Sequence, residues 1–278
     1  MINKFGIMQG RLLPKYKGRY QAHPVGYWEK EFSIASKLGL DSIEFIFDHN
    51  EFDENPLLTN EGLNKIQKIE KLSKVKVRSI CADYFMVEPI HSKNKLIVDK
   101  SMKLLNQLIK NASFLGVKNI VIPCVDKSSL KEEKDIKNFI NNIKKIVKTL
   151  ENADVNLSLE TDLEPKSFAK MIDIIGSNNV TVNYDTGNSA ALGYDPIEEF
   201  KAYGDKITDL HIKDRKLGGA SVTLGTGDVN FSIILNLLLK YNYQGIFIFQ
   251  AYRDDEGIEI FKKQYNWFKN ELNLTLNN

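Results

Sequence analysis

Short runs of apolar, β-branched and aromatic residues recur along the chain at Lys4–Met8, Asp41–Phe47, Val75–Ala82, Asn119–Pro123, Val155–Glu160, Val180–Asp185, Ile207–Ile212 and Gly245–Gln250. Several are apolar at consecutive positions, as in NIVIPC and GIFIF. Strands covered on both faces read this way, whereas a half-solvated strand alternates. The segments between them repeat at helical spacing. Between Leu96 and Leu115, positions 97, 98, 104, 105, 108, 109, 112 and 115 are apolar, with Lys and Asn between them, which is one stripe of an amphipathic helix. The same spacing predicts helices over 28–38, 60–73, 133–151, 166–175, 197–203, 230–241 and 257–269. Leu38-Gly39-Leu40 and Leu115-Gly116-Val117 carry the glycine that ends a helix before the next strand. Eight strands alternating with eight helices predict a parallel sheet with helical crossovers, and eight strands close such a sheet into a barrel. An open doubly wound sheet is disfavoured, because no G-x-G-x-x-G follows the first strand.

Length and composition narrow the picture. The 278 residues match one (β/α)8 barrel, which takes roughly 250 in one piece, so a single α/β domain over 1–278 is expected. No linker, low-complexity tract or charge block divides the chain. The 38 Lys and Arg nearly cancel the 36 Asp and Glu, leaving a net charge of +2. That argues against nucleic acid as a partner, which calls for a dense basic stripe. Two cysteines cannot build a disulfide framework. No window approaches the ~20 apolar residues of a membrane span, and the start MINKFGIMQGR has no signal-peptide apolar run. A cytoplasmic location without membrane contact is expected, with a homodimer as an open possibility.

Barrel chemistry belongs at the carboxyl ends of the strands. There the sequence places Gln9-Gly10-Arg11, Glu44, Asp83, Glu160, Asn183-Tyr184-Asp185, His211 and Gln250. Glu160, Asp185, His211 and Gln250 are separated by 25, 26 and 39 residues, each about one strand–helix unit, so four successive strands aim two carboxylates, an imidazole and an amide at one mouth. That mixed, mostly hard donor set suits one divalent ion, Mn²⁺, Co²⁺, Mg²⁺ or Zn²⁺, and a cation also relieves the repulsion of two crowded carboxylates. Each residue alone has a plainer reading. Glu160 could be a solvated loop residue, Asp185 before Thr186-Gly187-Asn188 a helix cap, and His211 a structural histidine. Their joint placement is what argues for a metal.

These stretches also carry a resemblance. GIMQGRL at 6–12, SLETD at 158–162, NYDTGN at 183–188, DLHIKDR at 209–215, LGTGDVNF at 224–231 and GIFIFQAYR at 245–253 resemble the sugar phosphate isomerase/epimerase group of xylose isomerase-like TIM barrels, in the family's order and spacing. That group includes ketose 3-epimerases, inosose dehydratase-like proteins and the endonuclease IV branch. The resemblance implies Glu160, Asp185 and His211 as metal ligands and puts Asp214 and Arg215 in a segment that faces substrate. Two positions depart from the family pattern: Gln250 stands where Glu is usual, and Asn230 where Asp is usual.

The chemistry expected is proton removal next to a carbonyl, with the metal as Lewis acid and Glu160 as general base. Arg215 is a second catalytic candidate, and Arg11, Glu44, Asp83, Asn188, Lys213 and Asp214 are candidates for binding a carbohydrate substrate. Arg11, Lys213 and Arg215 could equally be solvated surface charge, and Glu44 could pair with a neighbouring Arg. Gln250 can donate an oxygen to a metal but cannot serve as a base, which shifts weight from epimerisation toward one-base isomerisation or dehydration. The alternatives left open are a dehydratase of a cyclic polyol or keto acid, a non-catalytic sugar- or metal-binding relic, and an endonuclease IV-like phosphodiesterase, for which four histidines are too few. The loop from Gln9 to Trp28 is a candidate lid. Asp228 reads as a helix cap rather than part of a phosphate site, and Cys81 and Cys124 as buried filler.

Overall fold

The computed structural model describes residues 4–276. Ten strands form, in chain order: β1 (Phe5–Met8), β2 (Ser42–Ile46), β3 (Lys76–Cys81), β4 (Asn119–Cys124), β5 (Asn156–Thr161), β6 (Val180–Asp185), β7 (Ile207–Ile212), β8 (Asp214–Arg215), β9 (Ser221–Val222) and β10 (Phe247–Phe249). All but β8 and β9 close into a parallel barrel in the order β1-β10-β7-β6-β5-β4-β3-β2. The two short strands pair as an antiparallel ribbon after β7.

The helices are α1 (Glu29–Lys37), α2 (Asn60–Ser73), α3 (Tyr84–Val87), α4 (Lys95–Leu115), α5 (Glu133–Lys144), α6 (Val147–Ala153), α7 (Pro165–Ile175), α8 (Thr186–Leu192), α9 (Pro196–Tyr203), α10 (Phe231–Lys240) and α11 (Ile258–Leu276). Gly39 and Gly116 take the left-handed conformation that their place after a helix predicts. The helix expected over 133–151 divides in two at Lys145 and Ile146; no proline or glycine accounts for the break. Three short features escape the helical pattern: α3, α8 and the ribbon.

Between strands and helices lies one large apolar core, including Phe32, Phe45, Leu108, Phe139, Leu157, Leu159, Phe200, Phe249 and Phe268. The barrel lumen is divided. Met8, Ile46, Cys81, Val121 and Ile248 form a small apolar plug. Opposite it, Ser158, Thr181 and Thr208 join hydroxyls at 2.6–3.0 Å. Barrels usually fill this layer with branched apolar side chains. The polar half lies on β5–β7, under the strand ends where the candidate site sits. Register shifts between Ile43 and Glu44 and between Val182 and Asn183 fall immediately before two of the site's side chains, in keeping with the habit of bulges to re-aim residues. Among the described residues no helix is long and apolar enough to cross a membrane.

Candidate active site at the carboxyl-end mouth

Strand alternation turns Leu157 and Leu159 to the helices and Ser158 and Glu160 to the lumen. The same rule turns Asn183 and Asp185 of β6, and Asp209 and His211 of β7, inward. Asp185 and His211 are direct partners in the parallel register. Ligand atoms of Glu160, Asp185 and His211 all lie within 4.8 Å of one another, and all three residues are buried. His211 Nδ1 stands 3.5 Å from Glu160 Oε2 and 3.7 Å from Asp185 Oδ2. Gln250 follows β10 and joins them through Lys213, whose Nζ donates to Gln250 Oε1 at 3.0 Å and to Asp185 Oδ2 at 3.2 Å. The donor set fits a divalent ion: two carboxylate oxygens, one imidazole nitrogen and one amide oxygen, all on buried side chains.

The imidazole is oriented from behind. His211 Nε2 meets Glu44 Oε1 at 2.7 Å, with both side chains fully buried. On the other side Asn183 Nδ2 lies 3.1 Å from Nδ1 and donates to Glu160 Oε2 at 2.8 Å. An amide nitrogen has only hydrogens to offer, so in the neutral ring Nδ1 would carry the lone pair, facing Asn183, and Nε2–H would point at Glu44. Carboxylate behind histidine is how protein metal sites fix the ligand tautomer. Burial alone would lower the His211 pKa; Glu44, Asp185 and Glu160 outweigh it and raise it well above the usual histidine range. A divalent ion would neutralise the same carboxylates and take the neutral ring. For Asp185 burial works upward, but Lys213, His211 and the Asn188 amide hold its pKa below the ordinary carboxylate range. Asp185 has two tasks, since its Oδ1 accepts the Asn188 N–H at 2.8 Å and caps α8. The capping and metal readings of this residue are therefore compatible.

Glu160 is gripped at both oxygens, by Asn183 at Oε2 and by Asn188 Nδ2 at Oε1, 2.6 Å. Asn188 in turn accepts Arg215 Nη1 at 2.8 Å and Lys213 Nζ at 3.2 Å. Arg215 also donates from Nε and Nη2 to the Gly219 carbonyl. It thus reaches Glu160 only through Asn188.

Other expectations are corrected. Glu44 is fully buried and meets His211 from behind rather than a neighbouring Arg. Asp214 is turned out of the mouth and fully buried. It accepts the N–H groups of Gly225 at 2.9 Å, Gly227 at 2.8 Å and Val229 at 3.2 Å. Alternation explains this, because 211, 213 and 215 share one side of the chain and 214 has the other. A Cβ at position 227 would fall on the Asp214 carboxylate, which accounts for Gly227. Asp228 does not cap α10. Asn230 does, accepting Ile233 N–H at 3.1 Å, while Asp228 accepts Leu217 N–H at 2.7 Å. Arg11 is buried, and its terminal nitrogens donate to the Tyr20 carbonyl and to Gln21 Oε1. Asp83 accepts from Gln21 Nε2 at 2.7 Å and from Cys81 Sγ at 3.2 Å; burial raises its pKa to about 6. Cys81 and Cys124 are buried as expected, with burial raising both thiol pKa values.

One residue with no sequence signal completes the mouth. Gln21 accepts from Gln250 Nε2 at 3.1 Å while it binds Arg11 and Asp83, so the loop from Gln9 to Trp28 reaches the site through one side chain. That loop is pinned from below by the buried Glu31, which accepts Gly10 and Leu12 N–H groups, and by Arg253, which donates to the Gly10 and Leu13 carbonyls.

The model of the xylose isomerase-like TIM barrel family matches residues 32–271. The chain belongs to this family. A Haemophilus influenzae protein whose name ascribes to it an L-ribulose-5-phosphate 3-epimerase activity is 28% identical over 82% of this chain and 84% of its own length. Among solved structures, a xylose isomerase domain protein from Planctomyces limnophilus superposes with a TM-score of 0.76 at 16% identity, covering 99% of each chain. The IOLI protein, solved with a bound zinc atom, gives 0.76 at 15% identity, with 97% of this chain and 98% of that one covered. At those identities the structural matches establish the shared barrel.

Proposed function

We propose that the protein is a divalent-metal-dependent sugar isomerase or epimerase that removes a proton from a carbon next to a carbonyl. The observation that carries this reading is Glu160, fixed at both carboxylate oxygens by Asn183 and Asn188 beside Asp185 and His211. A carboxylate immobilised next to a cation site has the placement that a general base needs. Glu160, Asp185, His211 Nδ1 and Gln250 Oε1 would hold the metal, which when bound supplies Lewis-acid polarisation of the substrate carbonyl and its neighbouring hydroxyl. The ion present in the IOLI structure is zinc, and the name of the H. influenzae relative points to a ketose epimerase; both support the reading by kinship.

Glu160 would take the proton, while Asn188 and Asn183 keep it from rotating away as its charge changes. Asn188, itself held by Arg215 and Lys213, offers this grip without a proton of its own to give. Gln250 separates two versions of the chemistry. Inverting a carbon needs a second group to return the proton to the opposite face, and an amide cannot do so. Carrying the proton across one face, as in moving a carbonyl along a sugar, needs only Glu160. Gln250 therefore favours carbonyl migration over inversion, and elimination of water remains the second reading, because it also needs a single base, together with an acid that protonates the departing hydroxyl.

Incubation of the metal-loaded protein in D₂O with ketopentoses, ketohexoses, inososes and their phosphate esters tests the proposal. Deuterium is expected at the carbon beside the carbonyl of at least one sugar, read by NMR. Loss of water instead of exchange would assign the dehydratase chemistry, and no reaction with any of them would refute the enzymatic reading.

A further inference from the structure

Gly187 lies in the first turn of α8, and a Cβ there would stand 2.7 Å from Lys213 Cγ and 3.1 Å from its Cβ and Cδ. Gly187 is absent from the glycines with positive φ, so what its missing side chain supplies is room for the lysine stem rather than backbone freedom. Thr186 grips the same residue by its backbone: its hydroxyl accepts the Lys213 N–H at 3.0 Å and donates to the Lys213 carbonyl at 2.6 Å. Led along this track, the ammonium meets Gln250 Oε1 at 3.0 Å, Asp185 Oδ2 at 3.2 Å and Asn188 Oδ1 at 3.2 Å. The lysine side chain is 13% exposed. A surface lysine would have no such seat.

Two of those three oxygens belong to the residues proposed to hold the metal. An ammonium and a divalent ion seek the same lone pairs, and among buried side chains their mutual repulsion is less screened than in open water. We propose that Lys213 is a tethered competitor of the metal: its ammonium holds Asp185 and Gln250 in position and must withdraw toward Asn188 when a divalent ion binds. The ion is then held less tightly than the same donors would hold it beside a neutral residue. This inference rests on the metal-centre reading above. Gln250 fits it. A glutamate at 250 would give the ammonium a counter-charge of its own, whereas with the amide Asp185 is the one carboxylate within salt-bridge distance of Lys213 among the described residues. The competition therefore falls on a metal ligand.

The test is titration of the full-length protein with Mn²⁺ by calorimetry, together with thermal melting with and without Mn²⁺, for the wild type, Lys213→Met and Lys213→Gln. Loss of the ammonium is expected to tighten Mn²⁺ binding about tenfold while lowering the melting temperature of the metal-free protein, because Asp185 loses its partner. That pair of opposite changes is the signature, since a lysine that merely stabilises the fold would weaken both. Should the methionine variant not fold, the glutamine variant, which keeps a donor without the charge, carries the same comparison. Mn²⁺ binding equal to or weaker than wild type in a folded variant overturns the competitor role and leaves the metal centre standing. Failure of wild type and both variants to bind Mn²⁺ overturns the metal centre and the competitor with it.

Discussion

Glu160→Gln is expected to slow deuterium wash-in by about 10²–10⁴-fold, the usual worth of a positioned general base. The substitution is close to isosteric and keeps an oxygen for the metal and a partner for Asn183, so the fold and the cation site should survive it. Glu160 Oε1 receives Asn188 Nδ2 and Oε2 receives Asn183 Nδ2, and a glutamine can satisfy only one of them without turning a donor toward a donor. Some loosening of the side chain is therefore expected alongside the lost base. The readout is the initial rate of exchange on a sugar identified with the wild type, measured at saturating metal. A variant that exchanges at the wild-type rate would place the base elsewhere, with Asp83 the next carboxylate to examine.

The second large effect lies behind the histidine. Glu44→Leu leaves the Nε2–H of His211 buried without an acceptor, in place of a 2.7 Å contact between two side chains with no exposed surface. Metal affinity should fall about 10–100-fold, as it does when the outer partner of a ligating histidine is removed, and stability should fall by about 3–5 kcal/mol, the cost of breaking a buried pair on one side. Glu44→Gln keeps an acceptor oxygen while removing the charge, so it separates orientation from electrostatics. If tautomer control is what Glu44 supplies, the glutamine recovers most of the affinity lost by leucine. Equal losses in the two variants would show that the charge matters more than the hydrogen bond. Calorimetric titration with Mn²⁺ and chemical denaturation measure the two quantities separately.

Much of this arrangement is legible in the sequence, because strand ends have a fixed address in a barrel. Glu160, Asp185 and His211 each follow an apolar run at a spacing of one strand–helix unit, and the structure brings them together. What a linear pattern cannot supply is the partner across the lumen. Glu44 meets a histidine 167 positions away, and nothing near Glu44 indicates that its face is closed to solvent. Gln21 lies in a loop without periodicity, so no signal marks it. α8 is seven residues long, too short for a helical stripe to show. Asp214 is different, since its direction can be read from the strand pattern. Period-two alternation after His211 sends Lys213 and Arg215 to the mouth and Asp214 to the glycine loop. Asn183 is legible by the same rule, two residues before Asp185 on the same face.

The electrostatics of the mouth fall outside any one-dimensional reading. His211 is surrounded by carboxylates that raise its pKa, and Asp185 is held ionised by Lys213 and His211. These shifts arise from charges packed together by four different strands. They make a cation among Glu160, Asp185 and the His211 ring a natural neutraliser.

Anomalous diffraction at the manganese edge, from crystals grown with Mn²⁺, tests that centre most directly. One Mn²⁺ per chain is expected, bound by Glu160, Asp185, His211 Nδ1 and Gln250 Oε1. An anomalous peak elsewhere, or none in the mouth at saturating Mn²⁺, would contradict it.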